Sequence, residues 1–127
     1  MNLKNAITLC AVALATVITT SDLYAQKKKK TTYGHPAEVT ANAGAFAIVP
    51  LKYEYNAVEK YIDAETMFIH FSKHYVGYLN NLNKAVEGTP KAAMTIEEVL
   101  RTMDMNNATL RNNAGGYYNH NMYFDVI

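Results

Sequence analysis

His70, His74 and Tyr78 recur four residues apart in the stretch Ile69-His70-Phe71-Ser72-Lys73-His74-Tyr75-Val76-Gly77-Tyr78. An α-helix turns about 100° per residue, so each step of four moves a side chain only about 40° around the axis. Two imidazoles and a phenol then share one stripe. The stripe offers a nitrogen ligand, a second nitrogen that can hold or shuttle a proton, and a hydroxyl that can orient a bound water. The plainer reading is three polar, half-buried helix residues with no common task. Asp63 is a suitable N-cap and Glu65 lies near the positive end of the helix dipole, so the helix is expected from about Ala64 to Leu82. Met67, Ile69, Phe71, Val76, Leu79 and Leu82 supply its apolar surface. Gly77 costs such a helix about 1 kcal/mol relative to Ala, and the expectation is that another element packs closely there.

Gly88-Thr89-Pro90 ends this element and any helical continuation through Lys84 to Glu87. Thr95 followed by Glu98 fits a capping box opening a short helix through Val99, Leu100 and Met103. After a polar break at Asp104 to Asn107, a last helix starts near Ala108 and carries Leu110, Ala114, Tyr117, Tyr118, Met122, Phe124 and one further histidine, His120. Gly115 and Gly116 weaken it as a solitary helix but permit a second helix to approach closely. The expected architecture is mainly α: an antiparallel helical hairpin with a short helix in the connection.

The amino terminus reads differently. Lys4, an apolar run from Ala6 to Ile18 and a polar stretch ending Leu23-Tyr24-Ala25 have the layout of a secretory signal, so residues 1–25 are assigned to export and the mature protein to the periplasm or exterior. The run is shorter than the roughly 20 apolar residues a membrane span needs, and no stable anchoring is expected once the signal is cleaved. Cys10, the only cysteine, lies inside it. A mature chain would form no disulfide, and any metal site would draw on His, carboxylate or Tyr. Residues 26–48, opening with Lys27 to Lys30 and continuing rich in Thr, Gly, Ala and Asn, are expected to be a basic, flexible linker. Formal net charge is +1, and from Leu51 onward seven Lys or Arg face nine Asp or Glu, which argues against nucleic acid as a partner.

Three stretches carry a family likeness. The first is Val49-Pro50-Leu51-Lys52-Tyr53-Glu54-Tyr55, similar to an opening L-P-x-L-P-Y-x-Y but with Lys52 in a place commonly held by proline. The second is the I-H-x-x-K-H-x-x-x-Y pattern from Ile69 to Tyr78. The third, Asn112-Asn113-Ala114-Gly115-Gly116-Tyr117-Tyr118-Asn119-His120, matches N-N-A-G-G-x-x-N-H. Occurring in this order, they resemble the N-terminal, α-hairpin half of the iron/manganese superoxide dismutases over roughly residues 49–127. The resemblance implies that His70 and His120 are metal ligands and that His74 and Tyr78 line the route to the metal. It implies a manganese or iron ion alternating between two oxidation states as superoxide is converted to oxygen and hydrogen peroxide, with Tyr78 tuning a bound solvent and Lys73 and His74 helping to steer the anion. It also implies a homodimer for the complete enzyme. Gly116 tilts the likeness toward manganese, since iron-type members often carry Ala-Gln in place of the glycine pair; Tyr117 departs from the manganese-type His.

The family's second half, a small α/β domain, brings an Asp and a further His, usually within D-x-W-E-H-A-Y. That motif does not occur here and there is no Trp. The expectation is a chain without the C-terminal α/β domain and two of the four protein ligands, with little or no activity alone. Two rivals stand beside it. One is a zinc site on His70 and His74 in the manner of H-E-x-x-H helices, which lacks the Glu that would act as base. The other is a non-catalytic helical interaction module derived from such an enzyme.

Overall fold

The computed structural model describes residues 32–127; the export signal expected at residues 1–25 lies outside them. Asp63 starts the first long helix, its carboxylate accepting from the Thr66 amide (2.8 Å) and hydroxyl (3.0 Å). Such a cap stabilises by about 1 kcal/mol. Helix α1 (Ala64–Ile69) runs into a wide π-helical turn (His70–Tyr75) and on without a break into α2 (Val76–Val86). The element is thus one turn longer than its apolar pattern indicates, and Gly88 ends it at φ 68°, a conformation that costs glycine little and other residues more.

Thr89 then opens a short 3₁₀ turn, Pro90–Ala93. The capping box is formed: the Glu98 amide donates to the Thr95 hydroxyl (3.2 Å) and the Thr95 amide to the Glu98 carboxylate (2.8 Å). It opens α3 (Ile96–Thr102). Asn107 caps α4 (Ala108–Val126) through the Leu110 amide (3.0 Å). Helices α2 and α4 form the hairpin, with α3 against α4 in the connection. Among the described residues there is no β-strand, and no helix is long and apolar enough to cross a membrane.

The core is the seam between these helices. Met67, Phe71, Tyr75, Leu79, Leu82 and Val86 from the first long helix meet Val99, Leu110, Ala114, Tyr117 and Phe124, closed at one end by Leu51 and Tyr55. The spacings of three and four that place these residues on one side are those of an inward helical face.

Residues 32–48 do not behave as a linker, and for them that expectation is corrected; residues 26–31, with the lysine run, lie outside the described residues. The Tyr33 ring stacks on Phe68 with centroids 4.9 Å apart, and His35 Nε2 meets Glu54 Oε1 at 2.8 Å. The Asn42 amide donates to Asn80 Oδ1 (2.9 Å). Asn83 holds Phe46 at both ends, accepting from its amide (2.8 Å) and donating to its carbonyl (2.9 Å). Extended backbone must find partners for its amides and carbonyls. Here two Asn side chains of α2 provide them, so a stretch without apolar period is ordered by the helix beneath it. Gly44 fits because any Cβ there would overlap Asn83.

Candidate metal centre

His70 is the first residue of the wide turn and His120 sits in the middle of α4. Across the seam their rings meet edge to face, centroids 4.8 Å apart. At this separation the two imidazoles are close enough to serve as two nitrogen donors for one ion.

The tautomer of His120 fits as well. Its Nδ1 lies 2.6 Å from the Gly116 carbonyl oxygen one turn earlier. A carbonyl can only accept, so Nδ1 carries the proton and Nε2 keeps a lone pair free for a ligand bond. Hydrogen bonding of the second ring nitrogen is the usual way a ligating histidine is oriented. Burial, then the proximity of His120 and His74, lowers the His70 pKa below its ordinary value, holding that imidazole in the neutral, metal-competent form. Phe124 and Tyr123 wall the other sides of His70, at 5.0 and 4.8 Å between ring centres.

Tyr78 also reaches the site, its ring centre 5.1 Å from that of His120. It does so by lying directly on the backbone of Gly116, where a Cβ would overlap the ring. The glycine pair thus serves close approach at Gly116 alone. Neither Gly115 nor Gly77 has a neighbour within 4 Å of where a Cβ would stand, so the close packing expected at Gly77 occurs instead on the facing helix.

His74 is the outlier of the four-residue stripe. It is exposed, and among the described residues its ring meets that of His70 alone, at 6.4 Å. His74 therefore stands at the solvent-exposed rim of the stripe. The Lys73 ammonium lies 6.0 Å from the Phe68 ring centre. Among the described residues no cluster of three or more His, Cys, Asp or Glu side chains is placed to hold one ion.

Tyr75 and Tyr117 stand behind the site; Tyr117 carried a functional expectation only as a departure from the manganese-type His, and Tyr75 carried none. Both are buried, with rings stacked at 5.7 Å and 8°. Tyr117 was among the residues expected along the last helix, whereas Tyr75 was not among those expected to supply apolar surface; both belong to the core, and nothing local indicated that their hydroxyls would reach residues 47–49.

Comparison with known proteins agrees with this geometry. The family model for iron/manganese superoxide dismutases, alpha-hairpin domain, matches residues 45–127. The chain is 47% identical to a superoxide dismutase [Mn] of Pseudomonas aeruginosa over 64% of this chain and 42% of that protein. It is 42% identical to a superoxide dismutase [Mn/Fe] of Methylomonas sp. (strain J), over 65% and 43%, and 41% identical to a superoxide dismutase [Fe] of Raoultella planticola, over 65% and 51%. The chain spans about half the length of the curated relatives it matches. With the two histidine-bearing motifs on facing helices and the family model matched along the whole hairpin, the chain belongs to the iron/manganese superoxide dismutase family, of which residues 45–127 are the α-hairpin domain.

Proposed function

We propose that this chain supplies the helical half of a metal-dependent superoxide dismutase, with His70 and His120 as its two metal ligands. The observation that carries the reading is the paired one above: two rings 4.8 Å apart, with His120 Nδ1 committed to a carbonyl and Nε2 left free. A manganese or iron ion would supply the one-electron chemistry that takes superoxide alternately to oxygen and to hydrogen peroxide.

The chain's own residues then have separate tasks. His70, kept neutral by burial, and His120, fixed in its tautomer, bind. Tyr78 presents a hydroxyl that can hold a solvent molecule or pass it a proton. Phe124 and Tyr123 keep water from the inner side of the imidazoles. His74 and Lys73, both exposed, stand at the approach, where the Lys73 ammonium contributes positive charge that favours an anion. Two donors leave an ion loosely held, so full turnover is assigned to an assembly with further donors beyond these helices, and a homodimer is proposed for it.

Manganese is favoured over iron in this reading because Gly116 brings no side chain to the solvent position, leaving that space to Tyr78. Export is proposed on the layout of Lys4, Ala6 to Ile18 and Ala25; a mature amino terminus found at Met1 in the exporting cell would overturn it.

The direct test is equilibrium binding of Mn(II) and Fe(II) to the purified full chain and to His70→Ala and His120→Ala. Binding by the parent, lost in both variants, supports the reading. Equal affinity in all three would remove it and leave a helical module without metal chemistry.

A further inference from the structure

We propose that Tyr75 and Tyr117 are positioning residues for the His120 imidazole, setting the plane in which it meets a metal and transmitting that constraint to the extended segment at residues 47–49. The proposal rests on the reading of His120 as a ligand and goes beyond it, since neither phenol has a place among the groups that bind, move a proton or face substrate.

The geometry forms one continuous chain. The Tyr75 ring lies against His120 nearly parallel to it, at 6.2 Å and 18°. Tyr75 stacks in turn on Tyr117, at 5.7 Å and 8°. Each phenol is then fixed at its far end. The Val49 amide donates to Tyr75 Oη (2.8 Å), and the Tyr117 hydroxyl donates to the Ala47 carbonyl (2.9 Å). Tyr75 is fully buried and Tyr117 5% exposed, so neither ring has room to turn without moving its neighbours.

The Nδ1–Gly116 bond fixes which nitrogen of His120 carries the proton. It does not by itself fix the tilt of the ring, because a carbonyl accepts over a broad range of directions. A flat, immobile surface parallel to the imidazole does. Burial of Tyr75 also raises its pKa, ahead of the influence of its hydrogen bonds, so the phenol stays neutral and adds no charge beside the ligand. The partner of the Tyr117 proton is a backbone carbonyl, which is a poor base. That favours a positioning role over a redox relay through these rings, which would need somewhere to send a proton.

The test uses the full chain and two readouts. The first is the imidazole ¹H–¹⁵N spectrum of the metal-free protein, which reports the His120 tautomer; the second is the Co(II) or Mn(II) dissociation constant. Wild type is expected to show a single Nδ1–H tautomer at His120. Tyr75→Phe and Tyr117→Phe, which keep the rings and lose the anchors, should weaken metal binding about tenfold, in line with the usual effect of outer partners. Tyr75→Leu, which frees the imidazole to tilt out of reach of the Gly116 carbonyl and so to lose the bond that sets its tautomer, should add a mixture of tautomers and weaken binding further. If Tyr75→Leu does not fold, the two Phe variants decide alone. A folded set in which tautomer and affinity stay within twofold of wild type would overturn the proposal. A wild type that binds no metal, yet loses its single tautomer in the variants, would overturn the ligand reading and leave the positioning of His120 standing.

Discussion

The ring of Tyr78 rests on the backbone of Gly116, and no side chain of any size could stand between them. That one contact brings a phenol from the first long helix to within 5.1 Å of the His120 ring on the facing helix. It also explains a glycine in mid-helix, which otherwise weakens the element.

Gly116→Ala should therefore displace Tyr78. Overpacking of this kind costs about 1–3 kcal/mol, offset by about 1 kcal/mol of helix propensity, so the net result is a loss of up to about 2 kcal/mol. Gly115→Ala and Gly77→Ala meet no neighbour and should each stabilise by about 0.5–1 kcal/mol. Urea denaturation of the three variants checks both signs, and a stabilising Gly116→Ala would contradict the close approach.

Asn83 is 7% exposed and gives both ends of its amide to Phe46. Replacing it with Ala leaves two partly buried backbone groups without partners, a loss of about 2–6 kcal/mol at roughly 1–3 kcal/mol each. Cleavage by a nonspecific protease should then begin within residues 40–48, where the parent is expected to resist. Unchanged cleavage would show that the segment is held by its ring contacts alone.

The pH dependence of stability follows from His70. Its folded pKa lies below the ordinary value of about 6.5, so the unfolded chain binds more protons between those two values, and stability rises with pH across that window. As pH falls below about 6.5 the chain should lose stability. The ionisable rings against His70 are His74, His120 and Tyr123. Thermal unfolding between pH 7.5 and 5.0 should show a shallower slope in His70→Gln than in the parent; parallel slopes would assign the effect elsewhere.

Superoxide consumption by the purified chain loaded with manganese or iron is expected to be slight. Two imidazoles are its ligands in the proposed site, and among the described residues no larger cluster of donors exists to complete it. Robust turnover by this polypeptide alone would show that the site completes itself, for instance by pairing two copies.

What could be read from the residues was whatever depends on near neighbours. The caps at Asp63 and Thr95, the stop at Gly88 and the start at Ala108 were all legible, because each rests on interactions over three or four positions. His70 and His120 were legible only through the motifs around them. Position in sequence says nothing of a meeting across a seam.

The sequence by itself thus determined the helices and the donor set that each presents. Tertiary packing decided which donors meet: it joined His70 to His120 and left His74 exposed at the rim. It also made Gly116 rather than Gly77 the point of contact and tied Asn42 and Phe46 to α2. Those outcomes turn on how two helical surfaces interlock and on where extended backbone finds hydrogen-bond partners, and neither is a property of any short stretch of chain.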